Sequence, residues 1–173
     1  MILVLIGYMA SGKTSVGKKL ARKLNYDFVD LDDFIEEKEQ LSVSEVFKVK
    51  GEIYFRKQEA RYLNELLNLD SNFLLSVGGG TPCYSGNMDR ILKAKNVKSI
   101  YLKASISTLV KKLMKKKATR PLIAHIDNEK DMTEFIGKHL FERLPFYNQA
   151  EIKIAIDHKL KDEIVEDIVL ELF

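Results

Sequence analysis

Residues 7–14 read Gly7-Tyr8-Met9-Ala10-Ser11-Gly12-Lys13-Thr14, a complete match to the pattern G-x-x-x-x-G-K-[ST]. Each position has a task if the ligand is a nucleoside triphosphate. Gly7 and Gly12 let the backbone bend so that the N–H groups of the stretch, Met9, Ala10, Ser11 and Ser15 among them, point inward at phosphate oxygens. Lys13 then reaches the β- and γ-phosphates, and Thr14 holds Mg²⁺ through its hydroxyl. A chance glycine turn beside a surface lysine would not need all eight positions filled.

A phosphate loop alone does not separate a kinase from a GTPase or a motor ATPase, so the acceptor side matters. Asp30 and Asp32 lie two residues apart at the end of a predicted strand, and an extended chain aims both the same way. Asp30 suits the water shell of a metal ion, and Asp32 suits a hydrogen bond from an acceptor hydroxyl. Alternatively, Asp32 or Asp33 N-caps the next helix. Arg56 falls in the same helical row as Ile53, Ala60, Leu63 and Leu67, and Arg143 follows Met132, Ile136 and Leu140. An inward guanidinium is costly unless an anion meets it. Each arginine alone is equally explained by a local ion pair; two together suggest an acceptor carboxylate gripped from two sides.

Gly78-Gly79-Gly80 follow the third predicted strand, where bare backbone lets a ligand approach closely. That strand, Phe73–Val77, has no Walker-B aspartate, which leaves the metal to Thr14 with Asp30 assisting. Lys111, Lys112, Lys115, Lys116 and Lys117 lead to Arg120, the candidate for stabilising the phosphoryl group in transfer. A lysine run is usually a solvated face, but this one opens into a polar stretch, 124–131, that suits a lid over a triphosphate. His125, His139 and His158 match no metal spacing, Cys83 has no activating partner, and none of the four is assigned a role.

These residues need rigid elements to hold them. Short apolar runs at Ile2–Ile6, Tyr26–Leu31, Phe73–Val77, Ser99–Leu102 and Ile152–Ile156 read as strands. Between them, helical periodicity predicts helices near 14–24, 33–40, 42–50, 52–67, 85–95, 105–117, 129–143 and 160–172. Ser42 with Glu45 has the capping-box spacing. Alternating strands and helices imply a parallel α/β sheet buried on both faces, with the ligand beyond the carboxyl ends of its strands.

The 173 residues suit one kinase domain, with a substrate-binding region at about 31–62 and a lid at about 112–128. Hydrophobic residues make up 46% and charged residues 31%, too apolar for disorder. The net charge of +3, from 28 basic and 25 acidic residues, gives no case for nucleic-acid binding. No run reaches the ~20 apolar residues of a membrane span, and the apolar opening lacks the charged start of a signal peptide. With one cysteine, Cys83, no internal disulfide forms, which suits a reducing cytoplasm; the expectation is a monomer with no membrane partner.

The chain resembles the shikimate kinase family over nearly its whole length. The resemblance rests on Gly7–Thr14, the D-x-D of Asp30 and Asp32, Phe55-Arg56 and Gly78-Gly79-Gly80. It continues in Arg120-Pro121-Leu122 and the R-x-P-x-Y of Arg143 to Tyr147. It implies a three-layer α/β/α fold of the P-loop nucleoside monophosphate kinase-like class, with five parallel strands, a substrate-binding helical region and a lid. It further implies transfer of the ATP γ-phosphate to the 3-hydroxyl of shikimate, on the route to chorismate and the aromatic amino acids. On that resemblance Asp32 binds the ring hydroxyls, Arg56 and Arg143 grip the carboxylate, and the triplet, chiefly Gly79, touches the substrate. Asp30 sits in the outer shell of Mg²⁺, while Lys13 and Arg120 stabilise the transition state. The family's lid usually stacks an arginine on adenine; here the candidates are Lys115 to Lys117, and Asp157-His158-Lys159 also lacks the arginine many members carry. The rival readings are a kinase for gluconate or a nucleoside monophosphate, and a non-catalytic nucleotide-binding module.

Overall fold

The computed structural model describes residues 1–116, 120 and 122–173. At its centre lies β1 (Ile2–Ile6), buried at every position. A strand with no polar side must be covered on both faces. Four further strands, β2 (Asp27–Asp30), β3 (Phe73–Ser76), β4 (Val97–Lys103) and β5 (Ile152–Ala155), join it in a parallel sheet ordered β2-β3-β1-β4-β5.

Among the described residues seven α-helices connect and cover these strands: α1 (Lys13–Leu24), α2 (Leu31–Glu39), α3 (Val43–Leu67), α4 (Asn87–Lys93), α5 (Ile106–Met114), α6 (Glu129–Tyr147) and α7 (Lys161–Leu172). The step from β1 to β2 runs toward one edge of the sheet, and the steps to β3, β4 and β5 run the other way. Right-handed crossovers therefore put α1 on the face opposite α3 and α4. Packing agrees, with α1 against α7 and α3 against α4. Helix α1 buries Val16, Leu20 and Ala21, and its outer lysines Lys19 and Lys23 pair with Asp162 and Glu166 of α7. Such exposed pairs add little stability; the apolar stripe does the anchoring.

The predicted helices at 42–50 and 52–67 are two limbs of α3, broken at Gly51 by φ 83°, ψ 167°. The first limb starts on the predicted capping box, with Ser42 Oγ accepting from Glu45 N at 3.2 Å and Glu45 Oε2 accepting from Ser42 N at 2.7 Å. The break is held by Glu39 at the end of α2, which accepts from Lys50 Nζ, Tyr54 Oη and Tyr62 Oη, each at 2.9 Å. One carboxylate thus fastens α2 to both limbs of α3.

Three local expectations are corrected. Helix α2 begins at Leu31, so Asp32 lies in its first turn and not on an extended strand; the cap is Asp30, whose Oδ1 accepts from Asp32 N at 3.1 Å. Ile53 is 89% exposed, so the row proposed for Arg56 fails at its first member. The turn at Gly51 points the second limb so that Phe55, Glu59, Tyr62, Leu63 and Leu66 face inward instead. Helix α6 runs through Pro145 to Tyr147. The carbonyl that Pro145 leaves unpaired belongs to exposed Phe141, where solvent can satisfy it.

Candidate active site

The phosphate loop leaves β1 and enters α1, so its N–H groups and the helix N-terminus face the same space. Gly12 has φ 97°, a conformation that favours glycine. A Cβ on Gly7 would lie 2.6 Å from Ser11 Oγ and 3.1 Å from the carbonyl of Leu102, so any larger residue would have to displace both. Lys13 Nζ donates to the carbonyls of Gly7 at 2.8 Å and Tyr8 at 3.2 Å. Burial pushes its ammonium down to about 8, with Asp30 and Asp32 holding it up in part. Ser15 Oγ donates to Gly12 O at 3.1 Å, bracing the turn.

Thr14 Oγ1 and Asp30 Oδ2 stand 3.5 Å apart. Asp32, two residues along, has its carboxyl raised to about 6, by burial first and then by Asp30 and Glu59, with Lys13 opposing. A cavity of about 350 Å³ brings together Met9, Ala10 and Gly12–Ser15 of the loop with Asp30, Asp32, Gly78, Gly79, Lys116 and Arg120. It lies beyond the carboxyl ends of β1, β2 and β3, where such sheets bind ligands.

The glycine triplet meets the three acceptor-side candidates one by one. A Cβ on Gly78 would stand 3.5 Å from Asp32 Oδ1, one on Gly79 2.8 Å from Arg143 Nη1, and one on Gly80 2.9 Å from Arg56 Nη2. The two guanidinium groups therefore lie against neighbouring glycines, although 87 residues separate them in the chain. Arg56 Nη1 donates to Glu59 Oε2 at 2.9 Å, and its guanidinium lies 3.9 Å from the ring centre of Tyr84. The ion-pair alternative for Arg56 is thus realised, and the pair itself stands at the site. Buried Ser11 Oγ, Arg56 Nε and Arg120 Nε have no hydrogen-bond partner among the described residues. Polar atoms left this way suit a site that receives anionic ligands.

Sequence reasoning missed four contributors. Glu59 is 1% exposed and takes a second hydrogen bond from Thr81 Oγ1 at 2.6 Å. Tyr147 Oη donates to the carbonyl of Gly79 at 2.5 Å. Tyr8 Oη lies 2.8 Å from His139 Nδ1, although His139 matches no metal spacing and Tyr8 carries no role of its own in the loop pattern. Spacing could have found Tyr147, which lies four residues after Arg143 on one helical face; nothing in the sequence links Tyr8 to His139. Cys83, its thiol raised by burial, is a poor nucleophile.

On the adenine side, Lys115 and Lys116 follow α5 directly, while Lys117, and Pro121 of the R-P-L motif, lie outside the described residues. Asp157 is engaged in structure, accepting from Ser105 N at 3.0 Å and Ser105 Oγ at 2.9 Å. A larger open groove of about 900 Å³ lies along α3, lined by Lys57, Arg61, Tyr84 and Arg90. It touches the site only through Arg56 and includes neither the phosphate loop nor the aspartates, so it is not the reaction centre.

Residues 9–173 match the family model described as shikimate kinase. The shikimate kinase of Flavobacterium johnsoniae is 46% identical over 167 residues, covering 96% of this chain and 96% of its own length. Among solved structures, shikimate kinase from Bacteroides thetaiotaomicron superposes with a TM-score of 0.89 at 34% identity, covering 99% of this chain and 98% of that one. Shikimate kinase from Acinetobacter baumannii, solved in complex with shikimate, gives 0.83 at 27% identity over 99% and 92% of the two chains.

Proposed function

The chain belongs to the shikimate kinase family, and from that premise we propose how its own residues phosphorylate shikimate with ATP. It is an ATP-dependent kinase of shikimate; the proposal concerns the roles. Gly7, Met9, Ala10, Ser11, Gly12 and Ser15 cradle the phosphates, and Lys13 and Arg120 neutralise charge on the group in transfer. Arg56 and Arg143 hold the carboxylate of shikimate, Asp32 holds its hydroxyls, and Gly78, Gly79 and Gly80 give it bare backbone to lie against. The observation that carries this is the pairing of the three glycines with Asp32, Arg143 and Arg56 in turn. A small acid bearing several hydroxyls matches two guanidinium groups and one carboxylate around a floor with no side chains.

The chemistry is direct in-line transfer. The 3-hydroxyl oxygen forms a bond to the γ-phosphorus as the bond to the β-bridging oxygen breaks, giving shikimate 3-phosphate and ADP. Asp32 orients that hydroxyl and takes its proton late in the step. Its carboxyl, raised only to about 6, is mostly ionised at neutral pH and can accept. Lys13 leaves the carbonyls of Gly7 and Tyr8 for the phosphates, which restore its full charge. Mg²⁺ fits the donor set of Thr14 Oγ1 and Asp30 Oδ2, since this ion takes one or two protein oxygens beside substrate phosphates and water; when bound it would neutralise phosphate charge. One chain holds all of these groups, so a single copy can assemble the site, and an ATP-fed biosynthetic step supports a cytoplasmic enzyme.

ADP release from MgATP by the purified protein tests the acceptor, with shikimate, gluconate and nucleoside monophosphates in parallel. Turnover dependent on shikimate alone is expected. Turnover with another acceptor and none with shikimate would overturn the proposal, and no turnover with any of these acceptors would leave only a nucleotide-binding module.

A further inference from the structure

Tyr8 occupies the first variable position of the phosphate loop, yet it is 1% exposed. Its side chain therefore points away from the phosphates and into the body of the protein. There it meets α6. Its hydroxyl is 2.8 Å from His139 Nδ1, and the two rings stand edge to face, with centroids 5.5 Å apart and planes at 85°. Phe135 flanks the same imidazole at 5.5 Å, which limits its rotation. The guanidinium of Arg143 lies 5.5 Å from the ring centre of Tyr8, within cation–π range.

His139, Arg143 and Tyr147 follow at intervals of four on one helix, so they form a ladder on one face. The lowest rung holds the phosphate loop through Tyr8. The middle rung reaches the glycine triplet, where a Cβ on Gly79 would stand 2.8 Å from Arg143 Nη1. The highest rung donates to the carbonyl of Gly79. Burial raises the Tyr8 phenol to about 12, so it keeps its proton, while burial and then Arg143 lower His139, so its ring is neutral. Both groups are thus uncharged, and the Tyr8 Oη–His139 Nδ1 hydrogen bond forms in either imidazole tautomer.

We propose that Tyr8 and His139 are a positioning pair for the acceptor: their hydrogen bond fixes the ring on which Arg143 rests and so sets the acceptor's distance from the phosphate loop. This rests on the reading of Arg143 as a carboxylate ligand. Arginine has many rotamers to lose on binding, and a fixed aromatic face removes some of that freedom beforehand. In-line transfer is sensitive to such registry, since a displacement of about 1 Å can cost roughly a hundredfold in rate.

The test is steady-state kinetics with both substrates varied, on Tyr8→Phe, His139→Leu, His139→Asn, the Tyr8→Phe/His139→Leu double variant and Arg143→Ala. Tyr8→Phe keeps the volume and deletes only the hydroxyl. We expect Tyr8→Phe and His139→Leu each to raise KM for shikimate about three- to tenfold, the scale of one net hydrogen bond, with KM for ATP unchanged. The double variant should be no worse than either single one. His139→Asn should stay near the parent, because an amide group placed at Nδ1 can either accept from the phenol or donate to it. Equal rises in both KM values would show that Tyr8 merely props the loop and would overturn the proposal, as would additive effects. A large loss in Arg143→Ala with no change in Tyr8→Phe and His139→Leu would overturn the pair alone. No change in Arg143→Ala would overturn the carboxylate grip and, with it, the pair.

Discussion

Glu59 Oε2 accepts from Arg56 Nη1 at 2.9 Å, with the Glu59 side chain 1% exposed and that of Arg56 17%. The carboxylate is therefore almost fully withdrawn from water while the guanidinium keeps an open side. Thr81 Oγ1 satisfies the second carboxylate oxygen at 2.6 Å. Three residues, from α3 and from the turn after the glycine triplet, thus fix one guanidinium with part of its donor fork still free. A charge held this way attracts a substrate carboxylate without having to be ordered at the moment of binding.

Removing Glu59 should cost both stability and acceptor affinity. Glu59→Ala leaves Arg56 only the looser ion pair with Glu52, whose Oε1 is 3.6 Å from Arg56 Nε, and breaking such pairs costs about 3–5 kcal/mol when both partners are fully buried. The open side of Arg56 lowers the expected loss to about 2–3 kcal/mol, readable by urea unfolding. Glu59→Gln keeps the shape and one acceptor oxygen, so it should lose less stability yet still raise KM for shikimate. A Glu59→Gln enzyme with parental KM would show that the carboxylate serves the fold alone.

Asp32 should govern the acid side of the pH–rate profile. Burial, with Asp30 and Glu59, raises its carboxyl to about 6, and the ionised form is the one that can orient and deprotonate a hydroxyl. Activity should therefore rise through about pH 6. Asp32→Asn should lose roughly 10²–10⁴-fold in kcat while still binding ATP. Stability moves the opposite way. A carboxyl whose folded value lies above its usual 3.8 stabilises the fold fully below that value, and the contribution is lost as pH rises through about 6. The ionised carboxylate then costs the fold on the order of 2–3 kcal/mol at neutral pH, which Asp32→Asn should recover in thermal unfolding. A variant less stable than the parent at pH 7 would refute the displaced titration.

The phosphate loop and the five strands were legible from the chain because their signals are local: an eight-residue pattern after an apolar run, and short runs bounded by turns. The same holds for the capping box of Ser42 and Glu45. Two errors came from element boundaries. Helix α2 starts at Leu31, so Asp30 rather than Asp32 caps it, and the turn at Gly51 rotates the second limb of α3, so Ile53 faces solvent. Arg56 was singled out for a faulty row, yet it reached the site because Phe55 and Glu59 carry the inward face. Glu59 looked like an ordinary surface charge among helix formers. Tyr8 and His139 lie 131 residues apart, and only the folded sheet brings the loop after β1 against α6.

Lys13 should shape the basic side of the profile. Its ammonium is lowered to about 8, chiefly by burial, so above that pH the free enzyme loses the charge that meets the phosphates. kcat/KM for ATP should fall above about pH 8, approaching tenfold per pH unit. kcat at saturating ATP should hold to higher pH, because bound phosphates raise the ammonium again. Coincident falls in both parameters would mean that the phosphates leave its titration unchanged. Lys13→Ala should abolish the basic limb together with most of the activity.

The loop also holds a strained residue whose relief should be measurable. Ala10 sits at φ 64°, in the left-handed region, where a Cβ costs roughly 1–2 kcal/mol. Ala10→Gly removes that penalty but adds about 0.5–1 kcal/mol of backbone entropy to the unfolded chain. The balance favours the variant by about 0.5–1 kcal/mol, or about 1–4 °C in Tm for a chain of this size. ATP affinity should change little, since the N–H groups that face the phosphates keep their places. A lower Tm would show that the neighbouring loop already holds Ala10 in a shape that glycine loosens, and KM for ATP in the same variant would then rise with it.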